Sequence, residues 1–201
     1  PYRKDARLLI AILSRLPIEQ PRTFSFTSSQ DGSGFVSGVV RLGTRPILVC
    51  SAHLDEIESK SRLANGYVDQ SMQTSARQIA RELWDRTPRS VSVIELVDWV
   101  NAQGHETVII GGDFNTIPLS KPIRAMGMRF DDALWPSFDY FAGTYFKIKS
   151  PLLPRVDYIF HSPDLKVQTA GVIRKSPGDH YPVRAVFRYE RDLYGQYPYP
   201  D

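Results

Sequence analysis

Cysteine is all but missing from this 201-residue chain. Cys50 stands alone, so no intramolecular disulfide holds the fold and a disulfide-stapled scaffold is excluded. It lies in the apolar run "ILVCSAHL" and reads as a buried structural thiol. Long hydrophobic runs are also missing: no stretch reaches about 18 apolar residues, the length that spans a bilayer as a helix. Charge of one sign is not in large excess. Lys and Arg number 25 and Asp and Glu 22, a formal net charge of +3. That mild basicity is compatible with a phosphate-bearing substrate and too small to argue for nucleic acid by itself. Neither an internal repeat nor a low-complexity block is present.

What is there is ordinary globular material, 42% hydrophobic and 23% charged. At this length one domain is expected, over residues 1–191, with a Pro- and Tyr-rich peripheral tail at 192–201. The chain opens at Pro1, without an initiator methionine, and reads as cut into near its first strand. "LLIAILS" (Leu8 to Ser14) reads as that strand. "GFVSGVVRL" and "RPILVCSAHL" read as two adjacent strands around Gly43. In "MQTSARQIARELWDR" the residues Met72, Ala76, Ile79, Ala80, Leu83 and Trp84 recur at helical spacing, as do Val93, Leu96, Val97 and Val100 further on. Gly104 fits the C-terminal cap of the second helix. A strand from Thr107 to Ile110 follows, then an irregular stretch to about Gly143. The segment "PRVDYIFHS" alternates, with Val156, Tyr158 and Phe160 on one side. "LKVQTAGVI" and the run through Val183, Ala185 and Phe187 read as two more strands. Strands with a helix pair between them indicate a mixed α/β layered domain.

Polar residues crop out at the ends of these strands: His53 in "CSAHLD", Asp113 and Asn115 in "GGDFN", Asp157 in "RVDYI", Asp179 and His180 in "PGDHYPV". Each alone has a bland explanation as a turn former or a hydrogen-bonded structural residue. Asp157 is the hardest to dismiss, because a carboxylate on a half-buried strand needs a partner. Gly111 and Gly112 suit a close backbone approach to a ligand, or merely a tight turn.

Taken in order, the blocks "GDFN" (Gly112 to Asn115), "GDHYPV" (Gly178 to Val183), "AHL" (Ala52 to Leu54) and "RVDYI" (Arg155 to Ile159) resemble those of the endonuclease/exonuclease/phosphatase superfamily, from about Leu8 to Tyr189. "AILSRLPI" is similar to that family's strand before its first hairpin. The resemblance implies a four-layer α/β/β/α sandwich of two packed mixed sheets, deoxyribonuclease I-like and truncated at its N-terminus, with the site at one sheet edge. It also implies hydrolysis of a phosphate ester, usually a phosphodiester, with Mg²⁺ or Mn²⁺. By resemblance Asp113 orients or deprotonates the attacking water, and Asn115 binds the phosphoryl oxygen or fixes Asp113. His180 acts as base or as stabiliser of charge, Asp157 orients His180, His53 acts on the leaving-group side or on the phosphate, and Asp179 serves at the metal.

Two departures stand out. The family's metal-binding Glu, expected upstream of "AILSRLPI", has no match, so a non-catalytic binding member is the rival reading. Gly178 replaces the usual Ser before Asp-His. For the substrate, Lys147, Lys149 and Arg155 interleaved with Tyr145 and Phe146 would suit a nucleic acid backbone, or form a solvated surface strand. Trp135, Phe138, Tyr140 and Phe141 would suit a lipid substrate if exposed, and packing against the sheet is the favoured reading. A monomer is expected.

Overall fold

The structure, a computed structural model, describes residues 10–29, 32–55, 81–135, 137–146 and 154–190. It is a mixed α+β fold with a six-stranded mixed sheet and a second sheet of two strands. The large sheet has the order β1 (Ile18–Ser25), β2 (Gly34–Leu42), β3 (Arg45–His53), β4 (Val108–Asp113), β6 (Asp157–His161) and β5 (Asp131–Asp132). The second pairs β7 (Leu165–Val172) with β8 (Val183–Tyr189).

Local chemistry sets the strand joints. β2 and β3 form an antiparallel hairpin closed at Leu42↔Arg45, and Gly43 takes a φ of +61° in the two-residue turn, a conformation that suits such tight connections. β3 then runs parallel to β4, which requires a crossover. Helix α1 (Pro88–Ala102) lies in that crossover. Pro88 opens it, Thr87 caps its N-terminus through Ser90 N–H, and Gly104 just past its end has φ +69°. Its buried residues Val93, Leu96 and Val100 join Phe35, Val39, Leu48, Val108, Ile110, Phe114 and Phe160 in one core. β1 is an edge strand and carries Pro21 at a register shift between Glu19 and Arg22, the position where a missing N–H does least harm.

The first strand is Ile18–Ser25; residues 10–14 of the run read as a strand belong to no strand, Leu13 is largely exposed, and residues 8–9 lie outside the described residues. Of the helix expected from Met72, residues 81–84 are described and are helical, and the rest lies outside the described residues. Its face is not the one the apolar spacing indicated: Trp84 is 75% exposed, while Glu82 is buried. A short helix, α2 (Lys121–Gly127), interrupts the stretch read as irregular, and buries Ile123 and Met126. The alternation of Val156, Tyr158 and Phe160 is as expected, all three being buried.

Candidate active site

Three neighbouring strands end level with one another. The β3–β4 register pairs His53 with Asp113, and the β4–β6 register pairs Asp113 with Asp157. Residues directly opposite on adjacent strands share a face, so the sheet itself lines up an imidazole and two carboxylates. The preceding row, Ala52, Gly112 and Tyr158, turns the other way, with Ala52 and Tyr158 buried. Gly112 has φ +148°, and a Cβ there would lie 1.9 Å from the Ala52 carbonyl oxygen. Glycine is required for the strands to come this close.

The "GDFN" block divides its residues between core and site. Phe114 is fully buried, with its ring 5.6 Å from Tyr158 and 5.3 Å from Phe160. That anchor turns its neighbours outward. Asn115 adopts φ +47°, which Asn tolerates, and its N–H donates to Asp113 Oδ1 at 2.8 Å. Its side-chain amide donates to the Leu54 carbonyl at 2.8 Å and lies 3.3 Å from His53 Nε2. The Asn115 amide thus faces one ring nitrogen of His53, and the other, Nδ1, is 3.5 Å from Ser33 Oγ.

His180 comes from the turn before β8, and its Nδ1 lies 2.8 Å from Asp157 Oδ2. That bond points Nε2 towards Asp113, 3.9 Å from its Oδ2, and His53 Nε2 lies 3.9 Å from the same oxygen. The structure thus brings together all five residues read as catalytic from the sequence: His53, Asp113, Asn115, Asp157 and His180. Asp179 stands apart from the tight cluster. Its backbone carbonyl accepts from Phe146 N–H, and its charge contributes to the environment of His180. Gly178 is accommodated by Ser176, whose Oγ accepts from Gly178 N–H at 3.1 Å, so a hydroxyl two residues earlier braces the turn.

Two further residues hold the halves of the site together: Thr144, which the sequence did not single out, and Tyr145, read there as an aromatic of a substrate track. The buried Thr144 hydroxyl accepts from the N–H groups of Val156 and Asp157, at 2.9 and 3.1 Å. Tyr145 forms a bridge with His180, and its ring stands 4.9 Å from the imidazole. Their signal was the "GTYF" segment, read from its lysines as a possible nucleic acid track. Lys147 and Lys149 lie outside the described residues. Arg155 is no backbone-tracking cation, because it is buried and paired with Asp132 at 2.7 Å. The aromatic loop also departs from the favoured reading: Phe138 is fully exposed, and Trp135 and Phe141 largely so.

The electrostatics follow from this crowding. Burial, and then the facing charge of Asp157, push the Asp113 carboxyl up to about 6, against the opposing pull of the Asn115 N–H and the two imidazoles. Burial pulls His180 down, but the hydrogen bond and charge of Asp157, with the charges of Asp113 and Asp179, outweigh it and leave the imidazole raised. One trio of potential metal-ligand atoms occurs among the described residues, from Asp113, Asp157 and His180, all within 4.8 Å of one another.

The sequence matches the endonuclease/exonuclease/phosphatase family over residues 9–180. The chain belongs to that family, a class of metal-dependent phosphoesterases. No curated protein matches it in sequence. Among solved structures, a mannosyl-6-phosphatase from Bacteroides thetaiotaomicron superposes with a TM-score of 0.61 at 17% identity, covering 87% of this chain and 67% of that one. The human Nocturnin catalytic domain, solved with a sulfate anion, gives 0.58 at 16% identity, covering 87% and 60%. Truncated Caenorhabditis elegans TDP2 gives 0.57 at 17% identity, covering 86% and 66%. These likenesses establish the fold, and the chain spans between 60% and 67% of the three structures' lengths.

Proposed function

We propose that the protein hydrolyses a phosphodiester by attack of water on phosphorus, at the cluster formed by His53, Asp113, Asn115 and His180. The observation that carries this reading is the 2.8 Å bond from Asp157 to His180 with Asp113 3.9 Å beyond. An imidazole whose one nitrogen is fixed by a half-buried carboxylate presents its other nitrogen in a defined direction.

In this reading Asp113 orients the water and takes its proton as the new P–O bond forms. The raised basicity of His180 favours the imidazolium, which would bind the phosphoryl oxygens as charge builds on them. Asn115 donates to the same phosphoryl group or holds Asp113 in line. His53 sits on the leaving-group side, where a proton must reach the departing oxygen as the ester P–O bond breaks. The residues fit a divalent cation: two facing carboxylates and an imidazole lie within 4.8 Å of one another, and carboxylate oxygens suit Mg²⁺. Asp113 and Asp157 would hold it, and Asp179, the metal residue by family resemblance, stands outside that trio. When bound, such a cation supplies charge neutralisation at the phosphate and a more acidic water.

The test is hydrolysis of bis-p-nitrophenyl phosphate by the full chain with Mg²⁺ or Mn²⁺. Asp113→Ala and His180→Ala are expected to lower the rate by several orders of magnitude while circular dichroism stays native. Equal activity in EDTA, or full activity of both variants, refutes the reading. A panel of plasmid, abasic DNA, RNA, sphingomyelin and inositol phosphates separates the phosphodiester from its lipid and phosphomonoester alternatives.

A further inference from the structure

Next to the catalytic cluster lies an ion pair that the chemistry above does not use. Glu82 and Arg89 are both buried, with Arg89 Nη2 2.5 Å from Glu82 Oε1. Burying two charges is costly, and an apolar pair of similar volume would stabilise a core as well or better. The partners of these two side chains show what the pair does. Glu82 Oε2 accepts from the Thr116 hydroxyl at 3.0 Å, and Arg89 Nη1 donates to the Asp55 carbonyl at 3.0 Å. Thr116 follows Asn115 in the chain, and Asp55 follows Leu54. Asn115 and Leu54 are themselves joined by the 2.8 Å bond from the Asn115 amide, the same amide that faces His53. The pair therefore grips the residue next to each end of the contact that presents Asn115 to His53.

A second route leads from the same pair to His53. Ser29 Oγ donates to Asp55 Oδ1 at 2.6 Å and accepts from Ser33 N–H at 2.8 Å, and Ser33 Oγ lies 3.5 Å from His53 Nδ1. Both imidazole nitrogens of His53 thus connect back to Glu82 and Arg89, one through Asn115 and one through Ser33.

We propose that the buried Glu82–Arg89 pair is a positioning device of the active site, fixing the loops after β3 and β4 so that Asn115 and His53 meet in working geometry. The inference rests on the phosphoesterase reading for its kinetic consequence, but its structural consequence can be measured without it. Glu82 and Arg89 touch no reacting atom; they act through Thr116 and Asp55.

The test compares Thr116→Val, which removes the hydroxyl at constant shape, with Thr116→Ser, which keeps it, and with Glu82→Gln, which removes the charge at constant shape. Two readouts are taken on the full chain: kcat and KM on bis-p-nitrophenyl phosphate with Mn²⁺, and the ¹⁵N and ¹H imidazole resonances of His53 without metal. Thr116→Val and Glu82→Gln are expected to lower kcat by about 10- to 100-fold, the scale of a small misplacement of catalytic groups, with KM within about twofold. They are also expected to shift the His53 resonances and leave those of the distant His161 in place. Thr116→Ser is expected to match the wild type on both counts. A folded Thr116→Val or Glu82→Gln with unchanged kcat and unchanged His53 resonances overturns the proposal. So does a loss in Thr116→Ser equal to that in Thr116→Val. If Thr116→Val does not fold, Glu82→Gln decides. A wild-type chain without phosphoesterase activity would sink the function, and the His53 resonances would still decide the positioning role.

Discussion

Asp157 and His180 are 2.8 Å apart although they arise on different sheets, Asp157 at the start of β6 in the large sheet and His180 just before β8 in the small one. Their bond therefore depends on how the two sheets sit together. Thr144 and Tyr145 stabilise that relation, one bonded to the backbone of Asp157 and the other bridged to His180.

Asp157→Asn follows directly. The substitution keeps the volume but removes the charge that favours the His180 imidazolium, and an amide can also turn its NH₂ towards Nδ1 and impose the wrong tautomer. The expected loss in kcat is about 10²- to 10³-fold, the range for losing a donor that stabilises charge in the transition state. An NMR titration should show the His180 pKa falling in the variant. A His180 titration identical to wild type would remove Asp157 from its orienting role.

Gly112→Ala tests the strand junction under the site. Its added methyl would meet the Ala52 carbonyl in a backbone region that side chains rarely adopt, and neither strand can retreat without breaking the ladder. The expected loss is at least about 3 kcal/mol in urea unfolding. Gly43→Ala is the control: it also has positive φ, with nothing within 4 Å of the added Cβ, and should lose about 1–2 kcal/mol. Equal costs at the two positions would refute the steric argument.

The contrast between these glycines reflects what the sequence makes legible. His53, Asp113 and Asp157 were readable because each ends or opens a strand whose apolar alternation is strong, and strand register then brings them level. Glu82 was not readable. Its neighbours Leu83 and Trp84 carry the helical apolar spacing, and burial of a Glu depends on Arg89 and Thr116, distant in sequence or in a different element. The run Leu8–Ser14 has strand composition, but composition alone does not provide a neighbouring strand. The exposed Trp135 and Phe138 fail the same logic in reverse, since hydrophobicity indicates burial only where the fold offers a surface to cover.

Glu95 gives stability a pH dependence. Its carboxylate accepts from both the N–H and the hydroxyl of Thr27, at 2.8 and 2.7 Å, tying α1 to the turn after β1. Burial is the largest single influence and raises its pKa, but these bonds and those from Ser28 together outweigh it, so the folded value lies below the ordinary 4.5. A depressed acid stabilises the fold above its unfolded pKa, and the benefit fades as pH falls through the folded one. Glu95→Gln should therefore cost up to about 1 kcal/mol at pH 7, and nothing near pH 3. A difference that persists at pH 3 would point to packing instead of charge.

Arg155 shows how the same strand serves fold and site together. Its guanidinium is bonded to both oxygens of Asp132 at 2.7 and 2.8 Å, donates to the Tyr140 carbonyl at 2.9 Å, and lies 4.2 Å from the centre of the Tyr158 ring. Arg155→Met fills much of the space and keeps contact with Tyr158, but leaves the Asp132 carboxylate buried without its cation. The expected cost is about 3–5 kcal/mol. Adding Asp132→Asn should return part of it, because the stranded charge is then gone; the two losses should fall short of additive by at least about 0.5 kcal/mol. Strict additivity in urea unfolding would mean that the pair is not coupled, and that Arg155 supports β6 through Tyr158 and the backbone carbonyls alone.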